Sequence, residues 1–229
     1  MIDFERVSFA YDNDIEALRD IQVHIDKGEF VFIVGPTGEG KSTFLKLIYR
    51  EHVATTGKVT VDGADVGRLP RRRIPFSRRR IGVVFQDFRL LSDRTIAENI
   101  LFALEAMRVP RKGMRSRTQD VLRQVGLGHR PNAFPHELSG GEQQRACIAR
   151  AIANFPPILL ADEPTGNLDP DTSLDIMQLL RDINVRGTTV VVATHDRHVV
   201  DALNQRVISL HGGRIVRDEA RGSYYAAHT

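Results

Sequence analysis

Gly35-Pro-Thr-Gly-Glu-Gly-Lys-Ser-Thr43 carries the most readable chemistry in the chain. Gly35, Gly40, Lys41 and Ser42 have the spacing of a phosphate-binding loop. Glycines let backbone N–H groups converge on phosphate oxygens without clashes from Cβ atoms. The N-terminus of a following helix adds a positive dipole end. Lys41 is suited to neutralise the β- and γ-phosphates of a nucleotide, and the Ser42 hydroxyl to ligate Mg²⁺. Pro36, Thr37, Gly38, Glu39 and Thr43 complete the expected nucleotide-binding loop. Glu39 is out of character there, because a carboxylate in an anion site repels its ligand by about 1 kcal/mol even in water. Its side chain must turn away or find a basic partner. If it does neither, Glu39→Ala should tighten nucleotide binding roughly fivefold.

A second candidate pair ends an apolar run, Ile158-Leu-Leu-Ala-Asp-Glu163. Strand ends in open α/β sheets face the ligand crevice. Asp162 could hold Mg²⁺ through water, and Glu163 could polarise an attacking water. Alone, the pair reads equally well as a solvated acidic turn. Beside a phosphate loop, nucleotide hydrolysis is the stronger reading. Leu138-Ser-Gly-Gly-Glu-Gln-Gln-Arg145 opens a helix expected over 142–153. Ser139 reads as an N-cap with Glu142 completing a capping box, or Ser139-Gly140-Gly141 as a second anion site. The two roles are compatible.

The elements that must position these residues follow from periodicity. Residues 2–9 and 21–26 partly alternate apolar and polar, as half-buried strands do. Residues 30–34 are an unbroken apolar run, expected as a buried strand; 156–162 and 188–194 also read as buried strands, and 58–62 and 81–85 are strand-like. Helical patterns cover 41–50, 172–186 and 197–204. Residues 206–210 and 214–217 flank a Gly-Gly turn and predict a hairpin. The block 93–153 shows three helical patterns and no strand. Buried strands interleaved with helices imply an α/β core with parallel strands, into which the middle block is inserted.

Taken together, the phosphate loop, Leu138–Arg145, Asp162-Glu163 and Pro164-Thr-Gly-Asn-Leu-Asp169 resemble the ATPase domain of ABC transporters. The resemblance covers essentially the whole chain, with the motifs in that family's order. It implies a P-loop nucleotide-binding fold with an antiparallel β subdomain and a helical insertion. The expected single domain divides into 1–92 and 154–229 as core and 93–153 as the helical part. The resemblance assigns Gln86 to sensing Mg²⁺, with Ser42 and Asp162 as the other metal-site residues. It assigns His195 to the γ-phosphate, Tyr11 to stacking on adenine, and Asp169 to a dimer seam. Ser139, Gly140 and Gly141 would cap the γ-phosphate bound by an opposing subunit, so a homodimer on ATP binding is implied. The catalytic set is then Glu163, His195, Lys41 and Gln86, with ATP and Mg²⁺ as cofactors. The family usually carries a small residue where this chain has Glu39.

Two segments, 73–91 and 92–100, resemble the cell-division members of the family. Those members act with a polytopic membrane protein on the inner face of the bacterial membrane and control cell-wall hydrolysis. Residues 86–91 would then lie where such a partner presses on the junction of core and insertion. Lipoprotein-release and macrolide-export members are the runner-up. A soluble member acting on DNA or ribosomes is the third reading, and it usually needs long insertions or tandem domains.

Composition narrows the rest. The chain has 229 residues, with 41% hydrophobic and 27% charged, so a sizeable core is expected and wholesale disorder is not. Its net charge is only +3. Arg71–Arg73 and Arg78–Arg80 therefore read as a solvated basic face, or as a membrane-surface patch, and no nucleic-acid partner is expected. Cys147, the one cysteine, excludes an internal disulfide and reads as a small buried residue. His24, His52, His129, His136, His198, His211 and His228 lack metal-ligand spacing. No run approaches the ~18 apolar residues of a membrane span, and the first residues lack a signal-peptide core, so a cytosolic chain is expected. Residues 219–229 read as a frayed tail.

Overall fold

The computed structural model describes residues 1–12 and 15–225. The chain opens with β1 (Ile2–Ala10) and β2 (Glu16–Ile25), paired antiparallel with Ile2 opposite Ile25 and Phe4 opposite Val23. β2 starts five residues before the alternating pattern does. A register shift opposite Val7 and Phe9 puts Asp20 at φ 49, so Leu18 and Ile21 both face inward although three residues apart. A bulge of this kind breaks the period of two, which hid the first half of the strand.

β3 (Phe30–Val34) is buried along its whole length. Its alternation separates two cores. Phe30, Phe32 and Val34 face one hydrophobic cluster, and Val31 and Ile33 face another. An unbroken apolar run is what a strand covered on both faces requires. α1 (Lys41–Ile48) follows, then β4 (Thr56–Val61) and the short β5 (Ala64–Asp65). These complete an antiparallel sheet in the order β2-β1-β4-β5. The rings of Phe4 on β1 and Phe44 on α1 stack at 4.2 Å in the cluster between the sheets. Burial of each such ring contributes ~1.5–3 kcal/mol.

The basic stretch is not wholly a solvated face. Arg71–Arg73 form a 3₁₀ turn leading into α2 (Ile74–Arg78), before β6 (Ile81–Val84). Arg78 donates to the carbonyls of Tyr49 and Arg50 just past α1, and Arg80 pairs with Asp62. Two of the six arginines thus satisfy helix-end carbonyls or a carboxylate.

The middle block holds α3 (Ile96–Ala106), α4 (Met114–Gln124) and α5 (Gly140–Ile152). Thr95 and Glu98 form a capping box at the start of α3. Buried Asn99 bonds both the N–H and the carbonyl of Leu91, which ties the preceding loop to that helix. Ile100, Leu104, Val121 and Ile148 join the same cluster as the outer face of the main sheet.

The chain then alternates through β7 (Ile158–Asp162), α6 (Pro170–Val185), β8 (Thr189–Thr194), α7 (Arg197–Leu203), β9 (Arg206–His211) and β10 (Arg214–Glu219). The second sheet runs β10-β9-β3-β8-β7-β6, with β10 alone antiparallel. Gly212 and Gly213, at φ 55 and 72, make the tight β9–β10 turn. β3, β7 and β8 end side by side, and the phosphate loop, Glu163 and His195 follow their C-terminal ends.

The expected frayed tail is corrected over the described part. Arg217 donates to the carbonyls of Ser223 and Tyr224, and the Tyr224 N–H to Asp201 of α7. Residues 226–229, with His228, lie outside the described residues. Among the described residues no helix is long and apolar enough to cross a membrane.

Candidate active site

The phosphate loop turns because two glycines allow what no other residue does. Gly35 has φ 148, and a Cβ there would sit 2.4 Å from the Leu210 carbonyl oxygen. Gly40, at φ 91, is the N-cap of α1 and packs equally tightly on Ala17. α1 has no side-chain cap and no acidic residue in its first turn. Its free N–H groups and dipole end are thus left for an anion. The buried Lys41 ammonium donates to the Gly35 and Pro36 carbonyls at 2.8 and 3.0 Å. That holds its charge at the loop mouth.

Three further groups converge. The Ser42 hydroxyl donates to Asp162 at 2.8 Å. The Thr43 and Tyr11 hydroxyls are bonded at 2.8 Å, which fixes the Tyr11 ring at the rim. Glu163 lies just past β7 at φ 45, a left-handed backbone that costs ~1–3 kcal/mol in a residue with a side chain. Its N–H donates to the Ala193 carbonyl at 2.9 Å, which helps to hold that conformation. The Glu163 carboxylate is only 12% exposed and lies 2.9 Å from His195 Nδ1 and 3.6 Å from Lys41 Nζ. The His195 N–H also donates to it at 3.3 Å.

These groups line one cavity of about 370 Å³. Thr37, Gly38, Gly40, Lys41, Ser42 and Thr43 form its floor, and Gln86, Glu163, His195 and Tyr11 its walls. Backbone N–H groups, an ammonium and hydroxyls suit a polyphosphate, and a carboxylate beside an imidazole suits activation of water. Gly35, Pro36, Glu39, Asp162 and Asp169 support the site from behind or lie apart from its lining. Ile15, Glu16 and Ala17 also line it, although nothing in the sequence singled them out. They enter because β2 returns past the loop. His52, stacked on Phe9 and edge-on to Tyr11, is another residue that no spacing announced.

The donors present suit magnesium. Ser42 Oγ, the Asp162 carboxylate and the Gln86 amide are hard donors of the kind Mg²⁺ prefers. Burial raises the Asp162 pKa above its ordinary value. The Ser42 bond opposes that shift, and nearby Glu163 adds to it. A dication beside it would favour the ionised form. Among the described residues no group of three or more His, Cys, Asp or Glu could cage a metal, so phosphate oxygens and water would complete its shell.

Glu39 is absent from the lining of the cavity. Its carboxylate is only 19% exposed and lies 3.4 Å from His211 Nδ1 at the end of β9. It has found its partner, and the fivefold gain expected for Glu39→Ala no longer follows. With the carboxylate outside the cavity lining and solvent screening what reaches the phosphates, the variant should bind ATP within about twofold of wild type. Titration calorimetry at low and high salt checks this, and a salt-sensitive fivefold gain would restore the like-charge reading.

Ser139 caps α5 with a complete box. Its hydroxyl accepts from the Glu142 N–H, and its own N–H donates to the Glu142 carboxylate at 2.9 Å. That backbone bond is the main reason Glu142 titrates below its ordinary range. Gly141 packs on α6, where a Cβ would meet the Thr172 methyl at 2.6 Å. Ser139, Gly140 and Gly141 are absent from the lining of the cavity. Asp169 caps α6 through the Thr172 N–H at 3.0 Å, and hydrogen bonding to the Thr172 side chain first, then to that N–H, holds its carboxyl below the ordinary range. Cys147 is buried in α5, and burial pushes its thiol up to about 12, leaving it unreactive at neutral pH.

Comparison with known proteins gives the family. The ABC transporter family profile matches residues 18–166. The chain is 51% identical to the cell division ATP-binding protein FtsE of Bacillus subtilis over 98% of both chains. It is 52% identical to the FtsE of Mycobacterium tuberculosis, again over 98% of both. Among solved structures, the dimeric ATP-binding cassette MJ0796 in a post-hydrolysis state with ADP and Pi superposes with TM-score 0.87 at 40% identity. That match covers 97% of this chain and 100% of the other. The Clostridium perfringens cbiO1 structure, part of the ABC transporter complex cbiONQ, gives 0.88 at 30% identity, covering 96% and 88%. The chain belongs to the ABC transporter family and is one of its ATP-binding and ATP-hydrolysing domains.

Proposed function

We propose that this chain is the ATPase subunit of an FtsE-type cell-division complex, acting with an FtsX-like polytopic membrane protein. It would work at the cytoplasmic face of the bacterial membrane, where its turnover controls cell-wall hydrolysis. The similarity to FtsE proteins along nearly the whole chain supports this reading most strongly.

Each residue then has a task. The loop N–H groups, Lys41 and Thr43 bind the phosphates, and Tyr11 stacks on the base. Ser42, Gln86 and Asp162 would hold Mg²⁺, which would supply charge stabilisation at the phosphates. Glu163 takes a proton from the attacking water, and His195 orients that carboxylate and contacts the γ-phosphate. Ser139, Gly140 and Gly141 close over ATP bound by a second copy, with Asp169 at the seam. Their absence from this chain's own cavity supports a site shared between two chains. The dimeric cassette among the similar structures supports it as well. We also infer that 93–153 is a helical subdomain set into the core formed by 1–92 and 154–229.

A groove of about 750 Å³ separates the core from α3. Phe85, Leu91, Phe102 and Met107 give it apolar walls, and Arg79 and Arg89 a basic rim. It suits an amphipathic helix of a membrane protein. Phe102 is 45% exposed, so Phe102→Asp should fold and still bind ATP. Capture of membrane partners on the wild-type chain should yield the FtsX-like protein, and the variant should lose it. Recovery of a lipoprotein-release or macrolide-export permease instead would overturn the cell-division assignment. Equal capture by the variant would remove the groove from the account.

A further inference from the structure

Gln86 enters the cavity from a loop whose backbone is strained. Phe88 and Arg89 both hold left-handed conformations, at φ 57 and 51. Neither is a glycine or an asparagine, and two such bulky residues in succession persist only where contacts impose them. The Arg89 N–H closes the turn on the Asp87 carbonyl at 2.6 Å. The Arg89 side chain folds back onto Asp87 and over the Phe85 ring.

The contact that spans this turn comes from α5. The Arg150 guanidinium donates to the Phe88 carbonyl at 2.8 Å and, through its other terminal nitrogen, to the Arg89 carbonyl. One helical turn earlier, Cys147 Sγ lies 3.0 Å from the same Phe88 carbonyl. Arg150 has no carboxylate partner among the ion pairs of the described residues, so its planar fork serves two main-chain oxygens. The same side chain lines the groove beside Phe85 and Arg89. It sits three turns along the helix that Ser139 opens. Groove, Gln86 loop and Ser139 helix thus meet at one guanidinium.

We propose that Arg150 is a positioning residue for ATP hydrolysis: by clamping the Phe88 and Arg89 carbonyls it sets Gln86 in the cavity and ties Gln86 to the Ser139 helix. The clamp makes the loop and α5 move together. A partner seated in the groove would press on the clamp and so shift Gln86. Arg150 itself touches no nucleotide. The inference rests on the role of Gln86 given above.

A double-mutant cycle on the full chain separates positioning from plain stabilisation. Steady-state ATP hydrolysis is measured for wild type, Arg150→Gln, Gln86→Ala and the double variant. Gln86→Ala should lower kcat. Arg150→Gln should lower kcat about tenfold or more with KM within about threefold, since misplacement of a site group by about 1 Å can cost ~10²-fold. In the Gln86→Ala background, Arg150→Gln should cost no more than about a further twofold. Arg150→Lys keeps the charge and one bond. It should give an intermediate kcat with the same lack of additivity, and it serves if Arg150→Gln does not fold. Multiplicative losses in the double variant would overturn the proposal and leave Arg150 a general stabiliser. So would a wild-type kcat for Arg150→Gln. If Gln86→Ala alone kept full kcat, the role of Gln86 would fail first, and the cycle would report that separately.

Discussion

Glu163→Gln is expected to bind ATP and not to turn it over. The substitution keeps the shape of a side chain that is only 12% exposed and wedged between Lys41 and His195. The fold and the phosphate loop should therefore survive. What is lost is a proton acceptor in the cavity wall, and removal of a general base typically costs ~10²–10⁴-fold in rate. The amide also removes the negative charge that faces Lys41, so ATP affinity should hold or rise. With ATP and Mg²⁺ the variant should accumulate as a dimer. A hydrolysis rate near wild type would show that Glu163 is not the base.

Gly40→Ala is the second large effect, and it acts through geometry. At φ 91 the new side chain would occupy a left-handed position, with its Cβ 2.4 Å from the Ala17 carbonyl oxygen and 2.8 Å from Leu18 Cδ2. The backbone conformation costs ~1 kcal/mol, and displacing β2 costs ~1–3 kcal/mol more. Stability should fall by roughly 2–4 kcal/mol, and ATP affinity by about 10²-fold or more as the N–H groups lose their convergence. Gly38→Ala is the internal control. It shares the left-handed backbone, at φ 90, but its Cβ would meet nothing within 4 Å. Thermal melts and ATP titrations of both variants check this. Equal losses in the two would rule out the contact with β2 as the cause.

Local pattern carried the parts of the fold that local pattern can carry. β3 is an apolar run because both its faces are covered, and that is visible in five consecutive residues. The phosphate loop, the three middle helices and the Gly212-Gly213 hairpin are also encoded within a few residues of themselves. The start of β2 was not legible, because the bulge at Asp20 exists only in its pairing with β1. Partners across the fold were equally hidden. Glu39 meets His211, and Arg78 meets carbonyls beyond α1, only once β9 and α2 are in place. Ile15, Glu16 and Ala17 are ordinary in sequence and enter the cavity wall only because β2 passes the loop. The Arg150 clamp belongs to the same class. Its acceptors are main-chain carbonyls, which any sequence would supply.

If two chains share each hydrolytic site, as proposed, mixing two inactive variants restores hydrolysis. Lys41→Met disables the phosphate loop, and Ser139→Arg blocks the Ser139-Gly140-Gly141 turn proposed to close over the partner's ATP. Each variant alone should be inactive, because both sites of either homodimer are broken. In an equal mixture, the mixed dimer joins the intact loop of one chain to the intact Ser139 of the other. Hydrolysis should return to a measurable level, at most about a quarter of wild type for random pairing of independent sites. No recovery, with mixed dimers demonstrated by affinity tags, would mean that each chain completes its own site and would contradict the account.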